Sequence, residues 1–214
     1  MPKNGRRSDK AETQGLYDRV ADVHNVILKL NGYRSSVAKY LRSLELAIGA
    51  DSNILYAGSG TGIITLAAQD AGFTPRSLIS LDLSLNSLKI LSDELRRKRR
   101  RGFTHPVQGN VLELPFADES FDLVLTCGVL EYTPLDDGLK EFARVAKRGA
   151  RLVMLPVRPS VVGSVLEFLY NFKAHKPDEV RSVSERYFKV LGHRKFPITE
   201  PISWSKTVFL LEKK

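Results

Sequence analysis

A chain of 214 residues with 43% hydrophobic and 27% charged residues has a globular composition and the length of one ordinary domain. The lone cysteine, Cys127, excludes an intramolecular disulfide and a cysteine-built zinc site, and His24, His105, His175 and His193 lack the spacing of a metal motif. The net charge of +9 sits in two places: residues 1–10 hold four basic groups and one acid, Arg96 to Arg101 hold six basic groups, and the rest is neutral.

Residues 1–12 read as a disordered basic tail without the apolar stretch of a secretory signal, and no apolar run reaches the ~18 residues that span a bilayer. The expected location is the cytoplasm, with no integral membrane segment. Residues 13–214 read as a single domain, with N-terminal helices over 13–49 and the core over 50–214. In the first helix Leu16, Val20, Val23, Ile27 and Leu30 recur at helical spacing, and Asn31-Gly32 ends it. A second stripe, Tyr17, Ala21, His24 and Leu28, runs beside them. Val37, Leu41, Leu44 and Ile48 predict another helix, closed by Gly49.

The pattern then alternates. Asn53 to Ala57 is a short apolar strand that enters a glycine loop, and Gly62 to Ala71 a helix. Leu78 to Leu81 is a strand ending at Asp82. Ser84 is a plausible cap for a helix with Leu88, Leu91 and Leu95 inside. Thr104 to Gln108 is a strand. Phe121 to Thr126 is nearly all apolar, as at the centre of a parallel sheet. Thr133-Pro134 reads as cap and first position of a helix that buries Leu135, Leu139, Phe142 and Ala146. Lys147 and Arg148 fall in its last turn, and Gly149 closes it. Arg151 to Leu155 is another strand. Val161 to Phe172 is apolar almost all round, so it must be buried or cover something apolar. Asp178 to Leu191 reads as an amphipathic helix with Val180, Val183, Tyr187 and Val190 on one face. Ser203 to Leu211 is a last strand. Such alternation makes a parallel sheet with helices on both faces.

The segment Ile54-Leu55-Tyr56-Ala57-Gly58-Ser59-Gly60-Thr61-Gly62 takes a strand through glycines into a helix. Glycines allow positive φ and close approach of a ligand, and the helix start offers N–H groups that suit an anion. The dinucleotide fingerprint needs a glycine where Ile63 stands, and the Gly-Lys-Ser/Thr ending of a phosphate-binding Walker loop is absent. A tight strand-to-helix turn is the plain alternative.

With this loop stand Leu81-Asp82-Leu83-Ser84, Gly109-Asn110-Val111-Leu112-Glu113-Leu114-Pro115-Phe116, Ser120-Phe121-Asp122-Leu123-Val124 and Val129-Leu130-Glu131-Tyr132. In order and spacing, roughly over 50–155, these stretches resemble the class I S-adenosylmethionine-dependent methyltransferases, in particular the small-molecule branch that includes the quinone (type 11) enzymes. The resemblance implies an α/β, Rossmann-like doubly wound sheet of seven strands, mostly parallel with an antiparallel last strand, under an N-terminal helical lid. It implies S-adenosylmethionine as cofactor and S-adenosylhomocysteine as product. The implied cofactor residues are Ala57, Gly58, Ser59, Gly60 and Gly62 in the loop, Asp82 at the ribose hydroxyls with Leu83, Asn110 and Val111 beside adenine, and Cys127, Gly128 and Val129 on the other side. Cys127 reads equally well as a core residue. The family usually carries an acidic residue where Tyr56 stands, and an aspartate where Asn110 stands.

The acceptor implied is a small molecule, apolar or amphipathic. Glu131 and Tyr132 follow the fourth strand and are candidates to face it. Tyr17 and His24, seven apart on the first helix, are candidates to reach it from a lid. No residue is singled out as catalytic. Two rivals stay open: an RNA methyltransferase, prompted by the arginine run, and a cofactor-binding scaffold without turnover, prompted by Tyr56. The oligomeric state has no signature.

Overall fold

A computed structural model describes residues 32–44, 46–100 and 102–214. The first expected helix, with Tyr17 and His24, lies outside them. In chain order the helices are α1 (Tyr33–Ser43), α2 (Ile63–Asp70), α3 (Leu85–Arg97), α4 (Leu135–Val145), α5 (Val161–Tyr170) and α6 (Pro177–Ser184). The strands are β1 (Asn53–Ala57), β2 (Ser77–Asp82), β3 (Thr104–Gln108), β4 (Phe121–Cys127), β5 (Ala146–Leu155), β6 (Phe188–Lys195) and β7 (Thr207–Lys213).

The seven strands form one sheet in the order β3-β2-β1-β4-β5-β7-β6. β1 to β5 pair in parallel, and β7 runs antiparallel to both β5 and β6. This is the mostly parallel sheet with a reversed last strand that the family resemblance implied. Side chains alternate across a strand, so each strand serves two cores. Leu55 and Ala57 join Val124, Leu139, Phe142 and Leu152 on one face. Ile54 and Tyr56 join Val37, Leu41, Leu123 and Leu125 on the other. In β4 Leu123, Val124 and Leu125 are wholly buried. Each such side chain contributes about 1.5–3 kcal/mol by leaving water.

The expected β1, β3 and α3 stand as read, and Ser84 caps α3 by accepting the Ser87 N–H at 3.2 Å. Several other boundaries move. α1 stops at Ser43, yet Leu44 and Ile48 still pack on its core, so their spacing recorded burial beyond the helix. Pro134, not Thr133, is the residue before α4, and α4 ends at Val145. Lys147 and Arg148 lie in β5 rather than in a helical last turn, and Gly149 closes no helix. Their charges pair across the strands instead, Lys147 with Asp122 at 2.7 Å and Arg148 with Glu119 at 3.6 Å. The helix expected over 178–191 ends at Ser184, and Phe188 to Lys195 pairs with β7. Pairing satisfies the backbone groups of β6 and one edge of β7, which local periodicity does not record.

α5 corrects an expectation of another kind. Val161 and Phe168 are 85% and 88% exposed, and Val165 and Leu169 are exposed with them. Of the two alternatives read from the sequence, burial or covering something apolar, burial fails, since the helix shows an apolar face to the surface of the described residues. No helix among the described residues is long and apolar enough to cross a membrane.

Candidate active site

In register, Ala57 pairs with Leu81 on one side and Thr126 on the other, and Asp82 pairs with Gln108. The loops after β1, β2, β3 and β4 therefore meet at one edge of the sheet. Between β1 and β4 the strand order reverses, and the two connections part to opposite sides. A crevice opens at such a point in α/β sheets.

The loop Gly58–Gly62 crosses this point with Gly58, Gly60 and Gly62 at φ of 73°, 51° and 87°. Only glycine takes these angles without strain. A Cβ on Gly58 would lie 2.6 Å from Val129 Cβ, so glycine lets the β1 and β4 loops touch. Among the described residues a Cβ on Gly60 would meet nothing within 4 Å, which is the loop's open side. The loop's donors point inward: Gly58 N–H and Ser59 N–H donate to Leu81 O, Gly62 N–H to Ser59 O, and Gly60 N–H to Asp82 Oδ2 at 2.7 Å. These four N–H groups are engaged within the protein, while Ile63, Ile64 and Thr65 form the helix start to which the expectation referred. The loop offers close approach, not a phosphate cradle. Ser59 Oγ is buried without a hydrogen-bond partner.

Asp82 ends β2 beside this loop. Its Oδ1 accepts the Ser84 N–H at 2.9 Å. Burial raises its carboxyl above the usual aspartate value, while the N–H bonds from Ser84 and Gly60 oppose the shift. Each oxygen keeps a second lone pair for a further donor. Leu83 follows with 66% of its surface exposed, an apolar side chain held at the crevice edge. Asn110 is exposed, and its Oδ1 accepts the Leu112 N–H at 3.0 Å. That turn places Val111 in the core beside Leu81. Arg144 of α4 fastens the same loop through Leu114 O and Phe116 O at 3.0 and 2.8 Å, and pairs with Glu141 and Asp118. The Arg144 guanidinium is the main cause holding the Glu141 carboxyl below its usual range.

On the other side of the crevice lie Cys127, Gly128 and Val129. Cys127 Sγ is 3.3 Å from the hydroxyl of Tyr33, a residue of α1 that the sequence reading did not single out. Tyr33 and Tyr56 are both buried, and burial is the main cause that raises both phenols well above the ordinary value. Both are neutral at pH 7, so neither serves as a base. Tyr56 packs in the core face with Cys127 and supplies no charge. Glu131 is 8% exposed and accepts the Val157 N–H. Tyr132 is 42% exposed and meets Phe172 edge-on at 5.3 Å. Lys206, also missed in the sequence, reaches Gly128 from the start of β7. One lysine before an apolar strand carries no local signal of that approach. Among the described residues no group of His, Cys, Asp and Glu suits a metal ion.

Comparison with known proteins matches residues 55–154 to a family of methyltransferase domains. The demethylmenaquinone methyltransferase of Lactiplantibacillus plantarum is 32% identical over 146 residues, 66% of this chain and 61% of that protein. An uncharacterised protein of Methanocaldococcus jannaschii is 30% identical over 74% of this chain and 67% of its own. The chain belongs to the type 11 branch of the class I S-adenosylmethionine-dependent methyltransferases. A geranyl diphosphate C-methyltransferase from Streptomyces coelicolor, solved with S-adenosyl-L-homocysteine, shares the fold at a TM-score of 0.71. It is 18% identical, over 88% of this chain and 82% of that one. The chain thus spans about three fifths of the length of the Lactiplantibacillus relative. The matched stretch runs from β1 to β5 and holds the glycine loop, Asp82, Asn110 and Cys127. Tyr33 and Lys206 stand outside it.

Proposed function

We propose that this chain transfers a methyl group from S-adenosylmethionine to a small, apolar or amphipathic acceptor. One observation carries the reading: the open side of Gly60 and the Asp82 carboxylate converge where the strand order reverses. A loop whose N–H groups are bonded internally suits a ligand with ribose hydroxyls and no phosphate. In this reading Asp82 accepts the two ribose hydroxyls, and Leu83 lies against the adenine with Asn110 and Val111 at its edge. Ala57, Gly58, Ser59, Gly60 and Gly62 line the methionine portion, and Cys127, Gly128 and Val129 its far side. The cofactor supplies a methyl group already activated by a sulfonium. The chain's part is to align the acceptor with it, and such positioning is worth roughly 7–11 kcal/mol. Glu131 and Tyr132 border the acceptor side. The exposed faces of Tyr132 and α5 support an acceptor with an apolar body. The helix expected over residues 16–30, with Tyr17 and His24, is proposed as its cover.

Calorimetry with S-adenosylmethionine and S-adenosylhomocysteine tests the assignment. Both are expected to bind, and no binding at millimolar ligand would overturn it.

The arginine run favours no RNA acceptor. It ends α3 at the amino edge of the sheet, far along the helix from Asp82. Arg96 pairs with Asp93, Arg97 with Glu94 at 2.8 Å, and Arg100 with Asp70. Exposed pairs of this kind contribute about 0–1 kcal/mol. Replacing Arg96, Arg97 and Arg99 with serine is expected to leave cofactor affinity unchanged and stability within about 1 kcal/mol. A large loss of affinity in calorimetry would place the run in the site.

A further inference from the structure

Lys206, immediately before β7, brings an ammonium to the carboxyl edge of the sheet. Lys206 is 9% exposed, and among the described residues its ammonium has neither an ion-pair partner nor a hydrogen-bond acceptor. Buried charges are normally paired, because desolvation of a lone ion opposes folding. With no partner among the described residues, the ammonium is available to an anion that arrives from outside.

Its position says which partner. Lys206 N–H donates to Ile202 O at 2.9 Å, at the end of the turn Pro201–Trp204, and its backbone bridges Val157. β7 runs antiparallel to β5, so its first residues stand beside the end of β5, at the carboxyl edge of the sheet. From there the side chain reaches the loop after β4. Its Nζ would lie 2.8 Å from a Cβ on Gly128, which places the ammonium against the β4 loop. Glu131, the buried carboxylate of the same loop, gives an oxygen to the Val157 N–H rather than to Lys206. The glycine loop and Asp82 approach the crevice from β1 and β2. Lys206 approaches from the opposite side, past β5, where an acceptor would enter.

We propose that Lys206 binds an anionic oxygen of the acceptor, a carboxylate or a phosphate, and thereby selects the acceptor and sets its orientation. This rests on the methyl-transfer reading above. With the exposed apolar faces of Tyr132 and α5 nearby, the class of acceptor is amphipathic: an apolar body with one anionic group. Lys206 lies outside the stretch matched to the family.

The test uses the full chain saturated with S-adenosylhomocysteine. Benzoate, phenyl phosphate and the neutral benzamide are titrated into wild type, Lys206→Met and Lys206→Arg. Wild type is expected to bind at least one of the two anions at least about tenfold more tightly than benzamide, as a charge-assisted bond implies. Which anion wins tells carboxylate from phosphate. Lys206→Met should lose the preference and Lys206→Arg keep part of it. S-adenosylhomocysteine affinity should stay within about twofold of wild type in both variants. Lys206→Met should melt no lower than wild type, since it breaks no ion pair or side-chain hydrogen bond among the described residues and keeps the stem. The proposal is overturned if the anions bind no better than benzamide, or if the preference survives Lys206→Met. It is also overturned if that variant melts well below wild type, which makes the ammonium structural, or loses S-adenosylhomocysteine, which makes it a cofactor contact. Failure of wild type to bind S-adenosylhomocysteine would strike the methyl-transfer reading itself, before any anion is added.

Discussion

Asp82→Ala is expected to weaken S-adenosylmethionine by at least about tenfold, and by about a hundredfold or more if both ribose bonds count in full, since a hydrogen bond to a charged group contributes about 1.5–3 kcal/mol. The variant also frees the Gly60 and Ser84 N–H groups, which Asp82 holds at 2.7 and 2.9 Å. Loss of that clamp loosens the loop and adds to the effect. The pH dependence has a definite sign. Burial raises the Asp82 carboxyl above its value in the unfolded chain. Between those two values, the folded state holds a proton that the unfolded state has released. From this group, then, stability of the ligand-free protein rises as pH falls through the raised value. Cofactor affinity moves the other way, because the ribose hydroxyls need the ionised carboxylate as acceptor. On acidification, wild-type affinity should fall while the ligand-free melting temperature gains from this group, and Asp82→Ala should lose both trends. Calorimetry across the acid range, paired with thermal melting, reads both. An unchanged dissociation constant in Asp82→Ala would reduce Asp82 to a structural clamp.

Gly62→Ala is the substitution expected to damage the fold most. Gly62 has φ of 87°, and a Cβ there would lie 2.2 Å from Leu91 Cδ1. Leu91 is wholly buried in a small cluster with Leu66, Leu88 and Leu95, so it has little room to retreat. Left-handed backbone costs an alanine about 1–2 kcal/mol, and overpacking about 1–3 kcal/mol more. A loss of about 2–5 kcal/mol is a large part of the 5–15 kcal/mol that holds a typical domain. It corresponds to a melting temperature lower by about 5–15 °C in a chain of this size. Gly60→Ala is the control. Its φ is 51°, but nothing lies within 4 Å of the added methyl. Its stability loss should stay near about 1 kcal/mol, while the methyl enters the proposed cofactor space and lowers affinity. If the two variants lost stability equally, the contact with Leu91 would not be what requires glycine at 62.

The elements and the proposed cofactor edge of the site were written locally. A strand run such as Phe121 to Thr126 shows its burial in composition alone. The glycine loop and Asp82 announce themselves because both sit at strand ends, where chain order already implies position. Boundaries failed where tertiary pairing overrode local pattern. Lys147, Arg148 and Gly149 suit the end of a helix, yet pairing with β4 draws Ala146 onward into β5. Phe188 to Val190 continues a helical stripe, yet the free edge of β7 takes it as a strand. The direction of the loop N–H groups was likewise hidden, since it depends on Leu81 O and Asp82 arriving from another strand.

The sequence by itself determined the alternating α/β order, the two-faced core of the central strands and the place of Gly58–Gly62 and Asp82 at strand ends. These follow from near-neighbour periodicity and from glycine's backbone freedom. Only the tertiary structure decided the far side of the crevice. Tyr33 meets Cys127 across 94 positions of sequence. Lys206 meets Gly128 because β7 runs back beside β5. A charge's partner, or its lack of one, is a property of the space around it. That space is made by strands whose order in the sheet differs from their order in the chain.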